Sequence, residues 1–279
     1  MEEKKFLSGK IRSPVVEGIF YPDNRAHVEQ KIQSFGLERG IGGRAQAVIA
    51  PHGAWDISGY AAAAAFSAAS GRGVKGVGQV VILGVIHRIG EEGIFLSDSS
   101  QFETPLGGLA VDRELNEELC SCSTLIQIND IPHLEEHSAE VLLPFVKYCF
   151  PNVSIIPILM GGSRPALISG LAHALRIVFE GLKEDTLFIL SVNLAINNSE
   201  EQALQEALLC MELIGKKNAE IFKDHLGKGS ISVCGGGIAA SFLESGLASD
   251  LSVRLLSDPL IKTLGDDGNF VYYGALSFE

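Results

Sequence analysis

Short runs rich in valine and isoleucine alternate along this chain with longer segments whose apolar residues recur at helical spacing. This alternation is typical of repeated β-α units around a largely parallel sheet, so it predicts an α/β fold. The predicted strands are Gln46–Ala50, Gln79–Val85, Ile94–Ser97, Leu125–Ile128, Ser154–Met160, Leu187–Val192, Ser230–Val233 and Phe270–Phe278.

Helices are predicted between most of these strands. Ser58 and Ser199 are suitable N-cap residues, and Gln202 completes a capping box with Ser199. The composition does not shift along the 279 residues, which favours one domain over residues 1–279. The predicted helices are His27–Phe35, Ser58–Ala69, Arg113–Ser121, Ser138–Cys149, Pro165–Glu180, Ser199–Asp224 and Gly237–Leu247.

Charge and composition argue against several classes of protein. The formal net charge of −12 would repel a phosphate backbone, which disfavours nucleic-acid binding. The opening residues lack the apolar core of a signal peptide, and no apolar run of about 18 residues could span a membrane. With five cysteines in no regular framework, the expectation is a cytoplasmic protein with free thiols.

Three predicted strands end at residues that bind transition metals. His52 follows the strand that ends in Ala-Pro, His87 follows the strand from Val80, and Cys234 follows Ile231-Ser-Val. Because strand ends of an α/β sheet converge on one edge, these side chains can meet there. Two imidazoles and a thiolate suit Zn, Cu or Fe(II) and leave a position open for water or substrate. No organic cofactor is expected.

Each of these residues also has a simpler interpretation. A histidine at a strand end is often a structural hydrogen-bonding residue, and Cys234 could be a buried cysteine before the tight turn of Gly235–Gly237. His137 lies among carboxylates in Glu135-Glu-His-Ser-Ala-Glu140. It could carry protons, support a ligand or bind the ion, or this stretch could be only the acidic start of a helix.

Motifs of common enzyme classes are absent from the sequence, including the G-x-S-x-G elbow, the P-loop and the strand-linked G-x-G-x-x-G. Other segments resemble the MEMO family, relatives of the class III extradiol dioxygenases, over nearly the whole chain. They are Gly18-Ile-Phe-Tyr-Pro22, Ile49-Ala-Pro-His52 with Ser58-Gly59, Ile82-Leu-Gly84 with His87, Thr104-Pro-Leu-Gly107 with Val111-Asp112, Glu136-His-Ser138 with Leu143-Pro144, Ile155-Ile-Pro-Ile158 and Val271-Tyr-Tyr-Gly-Ala-Leu276.

The resemblance implies a single three-layer αβα domain with a mixed, largely parallel sheet, like class III dioxygenase catalytic subunits. It also implies a metal pocket at one sheet edge, with ligands at His52, His87 and Cys234. The dioxygenase relatives use a carboxylate as third ligand, so the cysteine looks MEMO-like and favours softer ions.

The sequence departs from the family pattern around the expected pocket. Where the family usually has Ser-Asp-x-x-His, this chain has Ser191-Val-Asn193-Leu-Ala-Ile196, and an isoleucine cannot carry a proton. The family's His-Ala-Gly-Tyr is His52-Gly-Ala-Trp55 here, and its His-His pair is His87-Arg88. Arg88 adds a fixed positive charge that would favour a carboxylate or phosphate ligand.

Two functions are therefore compatible with the sequence. In the first, the chain is a metal-dependent oxidoreductase of dioxygenase-like ancestry, with His137 as catalytic acid or base and Trp55, Arg88, Glu136 and Asn193 lining the pocket. In the second, the chain is a non-catalytic binding or scaffold protein that recognises a peptide or an anionic small molecule in the same cleft. A third interpretation makes the histidines and Cys234 purely structural.

Overall fold

The strands of the chain follow the predicted alternation. A computed structural model describes residues 9–73, 76–88, 90–181, 184–257, 260–265 and 268–279. The opening residues that were expected to lack a signal peptide lie outside these ranges up to residue 8. The strands are β1 (Ile11–Arg12), β2 (Ala47–Ala50), β3 (Gln79–Val85), β4 (Gly93–Leu96), β5 (Gln101–Phe102), β6 (Leu109–Val111), β7 (Ile126–Ile128), β8 (Ser154–Gly161), β9 (Thr186–Ser191), β10 (Ala195–Asn197), β11 (Val253–Leu255), β12 (Ile261–Leu264), β13 (Phe270–Tyr273) and β14 (Leu276–Phe278).

Helices connect most of these strands. Short 3-10 turns at Ile131–Leu134 and Glu140–Leu142 precede the fourth helix. Among the described residues, none of the helices has the length and apolar character needed to cross a bilayer. The α-helices are α1 (Arg25–Ser34), α2 (Trp55–Ser70), α3 (Arg113–Cys122), α4 (Leu143–Cys149), α5 (Pro165–Phe179), α6 (Glu200–Gly215), α7 (Ala219–Gly227) and α8 (Gly236–Ser245).

The main sheet confirms the predicted α/β class with a mixed, largely parallel sheet. Within the described part of the chain it has eleven strands, nine of them in the order β1-β5-β6-β8-β3-β9-β2-β14-β11. Strand β4 pairs with β8 and β7 away from this path. The central strands β8, β3, β9 and β2 are mutually parallel, so their carboxyl ends share one edge. A smaller antiparallel sheet has the order β10-β13-β12.

Alternation of side chains along the central strands produces a core on each face of the sheet. Val48 belongs to the apolar cluster that includes residues of α1, α2 and α4, whereas its neighbour Ile49 belongs to the cluster that includes residues of α3, α5, α6 and α8. Burial of one such aliphatic side chain contributes roughly 1.5–3 kcal/mol. The Ala61–Ala65 run lies in α2, most of it buried, where small side chains allow close packing. The chain therefore has the three layers of an αβα fold.

Two predicted strands were wrong in extent. Ser230–Val233 does not form a strand: the Ser232 carbonyl accepts the Ile196 N–H at 2.9 Å, but the Glu206 carboxylate binds the Ser232 N–H at 2.9 Å, which interrupts the ladder. An isolated bridge joins Asn193 to Cys234. The predicted strand Phe270–Phe278 is two strands, β13 and β14, since the chain changes sheets at Gly274.

Three predicted helices also differ from the structure. The segment Ser199–Asp224 is two helices, because Lys217 adopts a positive φ of 51° and Asn218 caps the next helix. Ser199 caps α6 as predicted, but Ser58 lies inside the first turn of α2, which begins at Trp55. The helix expected from Ser138 begins at Leu143, after the 3-10 turn that ends at Leu142.

A buried ion pair ties the first strand to the turn before α4. The Arg12 guanidinium contacts the Glu140 carboxylate, and their side chains are 2% and 1% exposed. Arg12 also donates to the carbonyls of His133 and Glu136, each at 2.9 Å. The Glu140 carboxylate accepts the Val16 N–H at 2.9 Å as well. Residues 133–140 are thus fixed by contacts from the start of the described chain.

Replacing Arg12 with methionine should destabilise the protein by about 3–5 kcal/mol, because the Glu140 carboxylate is left buried without its counter-charge. The free energy of unfolding in guanidinium chloride measures the loss. Arg39→Met is the matched control, since Arg39 is 53% exposed and pairs with Glu29 at the surface. That control should cost at most about 1 kcal/mol. Equal losses in the two variants would contradict a structural role for the buried pair.

Candidate metal centre

Three distant segments converge at the carboxyl edge of the central sheet. Strand β9 lies between β3 and β2, so the residues that follow β2 and β3 flank the end of β9. His52 follows β2 by two residues, and His87 follows β3 by two residues. Cys234 reaches the same point through its bridge to Asn193, just beyond β9. The predicted convergence of His52, His87 and Cys234 is therefore present in the structure.

The donor atoms of these side chains lie close together. The Cys234 Sγ is 3.3 Å from His52 Nε2 and 3.2 Å from His87 Nε2. All three donors lie within 4.8 Å of one another. His52 is buried, while the His87 side chain is 39% exposed. The group therefore lies at the base of an opening rather than inside the core.

The His52 ring is held from its other side by strand β9. Its Nδ1 lies 2.9 Å from the Ser191 hydroxyl, and its backbone N–H donates to the Asn193 side chain at 3.1 Å. Burial lowers the pKa of His52 well below its usual value, and the charges of His87 and His137 lower it further. His52 is therefore a neutral imidazole near neutral pH, which is the form that binds metals.

The Glu136 carboxylate holds the His87 ring. Glu136 accepts from His87 Nδ1 at 3.0 Å and from the His87 backbone N–H at 2.8 Å. It also accepts the N–H groups of His137 at 2.8 Å and Ser138 at 2.7 Å. Burial opposes the charge of this carboxylate, but the hydrogen bonds and charge of His87 outweigh it and lower the pKa of Glu136 to about 2. A carboxylate behind a histidine is common at metal sites.

His137 lies beside the donor group and contributes no atom to it. Its ring stacks on His87 with centroids 4.6 Å apart and meets Phe20 edge-on at 4.9 Å. Burial lowers the pKa of His137, and the nearby Glu136 charge opposes that effect. A neutral imidazole at this position can accept or donate a proton close to the donors.

Glycine is required where the chain turns after Cys234. Gly235 has a φ of 91°, and a Cβ there would lie 2.7 Å from the Ser191 carbonyl oxygen. The bridge places the Asn193 N–H 3.0 Å from the Cys234 carbonyl oxygen. Asn193 thus holds His52 through its side chain and Cys234 through its backbone. This residue, predicted to line the pocket, is only 6% exposed and positions two of the donors.

The remaining predicted residues occupy different environments. Trp55 is 2% exposed, donates its indole N–H to the Val141 carbonyl at 3.0 Å and packs on Phe145, so the structure gives it a core role. Arg88 is 63% exposed and lies 3.8 Å from Glu135. Ile196 lies in β10, opposite Val271 of β13.

Three contributors to the site were not predicted from the sequence. Ser191 contacts the His52 ring, and the Ser138 carbonyl accepts the Ser191 hydroxyl at 2.6 Å. The Tyr273 ring lies against the residue after His52, since a Cβ on Gly53 would lie 3.0 Å from Tyr273 Cε1. Burial raises the pKa of Tyr273, and the Cys234 charge raises it further. A signal existed for Ser191, because it lies near the end of the predicted strand Leu187–Val192 and begins the segment compared with the family's Ser-Asp-x-x-His pattern. No sequence signal pointed to Tyr273, which lies at the end of β13.

The chain is similar in sequence to several known proteins that share one family name. The sequence profile described as Memo-like protein matches residues 12–254. A MEMO1 family protein of Thermotoga neapolitana is 31% identical over 258 residues, covering 88% of this chain and 91% of the relative. A MEMO1 family protein of Desulfurococcus amylolyticus is 28% identical over 287 residues, covering 96% and 99%. One from Pyrococcus furiosus is 33% identical over 189 residues, covering 66% and 64%.

In chelator-treated protein, the two donor histidines should titrate far apart. Burial disfavours the charged His87 ring, but hydrogen bonds with Cys234 and Glu136 raise the pKa of His87 from 6.5 to about 10. His87 should therefore keep its proton up to that pH, whereas His52 should stay neutral at and above pH 6.5. Nitrogen-15 NMR of the ring atoms measures both titrations.

Replacing Cys234 with serine should lower the titration midpoint of His87 in the same experiment, and an unchanged midpoint would contradict the contact between His87 and Cys234.

The raised pKa of His87 also determines how its contribution to the stability of the fold depends on pH. Because folded His87 binds its proton more tightly than an unfolded histidine, this contribution is complete below about pH 6.5 and is lost as pH rises through about 10.

Proposed function

Because the chain belongs to the Memo-like protein family, we propose that His52, His87 and Cys234 bind one transition-metal ion. We propose further that a small molecule or peptide end binds beside this ion. The chain would then act as a metal-dependent oxidoreductase of dioxygenase-like ancestry. The proposal rests first on the donor geometry and second on the family.

The observation that carries the proposal is the shared sulfur contact of the two rings. Metal bonds of roughly 2.0–2.3 Å place neighbouring donors about 3–4 Å apart. The Nε2 atoms of His52 and His87 lie 3.3 and 3.2 Å from the Cys234 Sγ, which fits that spacing. Both Nδ1 atoms contact other protein groups, so each ring directs Nε2 at the common point.

The donor set restricts the ion. Two imidazoles with a thiolate favour Fe(II), Cu or Zn over magnesium or calcium, which prefer oxygen ligands. Three protein donors leave at least one coordination position for another molecule. A bound ion of this kind can polarise an oxygen atom of a substrate or, if redox-active, exchange electrons with it.

The chain's own residues would supply the remaining functions. His137, which stacks on His87, is the candidate to move protons, because Ile196 stands where the family usually has a histidine. Glu136 would keep the His87 ring oriented. Arg88 lines an opening together with His87 and His137, and it would pair there with a carboxylate or phosphate of the bound molecule.

A non-catalytic binding or scaffold function is the alternative. One argument for it is that Arg88 is exposed, with Glu135 at 3.8 Å as its ion-pair partner among the described residues. A second argument is that Ile196 stands where the family usually has a histidine that could carry a proton. The same cleft would then hold a peptide or small anion without transforming it. Turnover of a small substrate by the metal-loaded protein would exclude this alternative, and a ligand-dependent rise in melting temperature without turnover would support it.

Protein purified without chelator should contain a single transition-metal ion per chain. His52→Ala, His87→Ala and Cys234→Ser should each reduce the metal content strongly, because each removes one of the donors. Elemental analysis by mass spectrometry measures the metal content. Binding displaces the His87 proton, so apparent affinity for added Zn²⁺ should fall by about tenfold per unit of decreasing pH for each proton displaced.

Matched controls for these variants are His173→Ala and Cys122→Ser. His173 is exposed on α5, and Cys122 lies at the end of α3. Both controls should keep the wild-type metal content. Metal-free wild-type protein that also fails to bind added Fe(II), Cu or Zn would contradict the proposal, and so would full metal content in His52→Ala.

Replacing His137 with glutamine should separate proton transfer from metal binding. Because the His137 ring is not one of the three proposed donors, the variant should keep its metal, whereas loss of the metal would assign the ion to the second group of possible ligands, His87, Glu136 and His137. Any metal-dependent turnover should fall by about 10²–10⁴-fold, the usual contribution of a general acid or base. Oxygen uptake with Fe(II)-loaded protein on a panel of small phenols measures turnover. Unchanged activity would remove His137 from the proposed chemistry.

A further inference from the structure

The hydroxyl of Ser191 has a single hydrogen, and the structure shows where it goes. Its Oγ lies 2.6 Å from the Ser138 carbonyl oxygen, which can only accept a hydrogen bond. The Ser191 hydroxyl must therefore donate there. In the contact between Ser191 Oγ and His52 Nδ1 at 2.9 Å, the ring must therefore donate the hydrogen and the hydroxyl oxygen must accept it. In neutral His52 the ring proton consequently lies on Nδ1, and Nε2 carries a lone pair.

We infer that Ser191 is a positioning residue that fixes His52 in the tautomer with Nδ1 protonated and so presents the Nε2 lone pair to the ion. This inference rests on the proposed metal function for its purpose, but the tautomer itself follows from the hydrogen bonds. A histidine with its proton on Nε2 would direct N–H at the same point and could not bind a metal there.

The turn of residues 136–138 governs the other histidine as well. Its Glu136 carboxylate accepts from His87 Nδ1, which leaves the Nε2 of that ring directed at Cys234 in the same way. Ser138 takes part in both arrangements: its carbonyl receives the Ser191 hydroxyl, and its N–H donates to Glu136 at 2.7 Å. One short turn thus sets the donor atom of both imidazoles.

The groups behind the two rings nevertheless differ in charge. A carboxylate lies behind His87 and makes it the more basic ligand, whereas a neutral hydroxyl lies behind His52. Burial of the Ser191 side chain excludes water as a substitute acceptor, since Ser191 is 0% exposed. Loss of this hydroxyl would remove the Nδ1 contact at 2.9 Å and leave the buried ring N–H only a contact with the Ser191 backbone, so the tautomer with the proton on Nε2 would become more populated.

The test uses full-length, chelator-treated protein labelled with nitrogen-15. At pH 8, long-range proton–nitrogen spectra of wild-type protein should show His52 protonated at Nδ1. Ser191→Ala should shift population to the tautomer protonated at Nε2 and weaken Zn²⁺ binding by about ten- to a hundredfold, measured by competition with a chelator. Ser191→Thr keeps the hydroxyl and should restore both properties.

A double variant separates this role from general loss of structure. Ser191→Ala should cause no further loss of Zn²⁺ affinity in a His52→Ala background, because the ring on which it acts is gone. Ser245→Ala is the matched control: Ser245 is 3% exposed and donates to the Phe242 carbonyl at 2.7 Å, in helix α8. It should leave the His52 tautomer and the affinity unchanged.

These experiments distinguish failure of the Ser191 role from failure of the proposed metal function. Wild-type His52 protonated at Nε2, or an unchanged tautomer in Ser191→Ala, would overturn the role of Ser191 whatever the metal affinity. An additive loss of affinity in the double variant would also overturn it. Wild-type protein that shows the expected tautomer but binds none of the transition metals would overturn the metal function and confirm the tautomer assignment.

Discussion

The buried carboxylate of Glu136 is the interaction on which the whole site depends. Burying a charge is costly unless hydrogen bonds compensate it, and here backbone N–H groups and the His87 ring do so. These bonds join the end of β3 to the turn before α4. Without them, the His87 ring would lose its fixed orientation. Ser138 is held to β3 by its hydroxyl as well, which bonds to the Val85 backbone, and its carbonyl receives the Ser191 hydroxyl.

The site also shows why a parallel sheet suits this arrangement. Strand β9 lies between the two histidine strands and supplies Ser191 at its end and Asn193 just beyond. The donors are thus held by regular elements and by backbone bridges. Gly84 allows this close approach at β3, because a Cβ there would lie 2.8 Å from the Ser138 hydroxyl. A rigid donor group reduces the ordering cost of binding an ion.

Sequence periodicity was sufficient for the fold class and for the donors His52 and His87, because strand ends follow from local patterns. The position of Cys234 beside the two histidines was predicted correctly, but for a wrong reason. Cys234 does not follow a strand, and the Glu206 side chain of α6 binds the Ser232 N–H where a neighbouring strand was expected. The hydrogen bond of the Trp55 indole to the Val141 carbonyl joins residues far apart in sequence, so no local pattern could indicate it. The hydrogen bonds of Ser191 to the His52 ring and to Ser138 likewise depend on tertiary contacts that no local pattern encodes.

The contact between Arg12 and Glu140 joins residues 128 positions apart. Loop closure over such a separation is slow and entropically costly, so contacts of this kind form late in folding. The turn that sets both imidazoles therefore reaches its final geometry only after the first half of the chain has been synthesised and the first strand has docked. Because Cys234 lies near the end of the sequence, an ion held by all three proposed donors would be bound only late in the maturation of the protein.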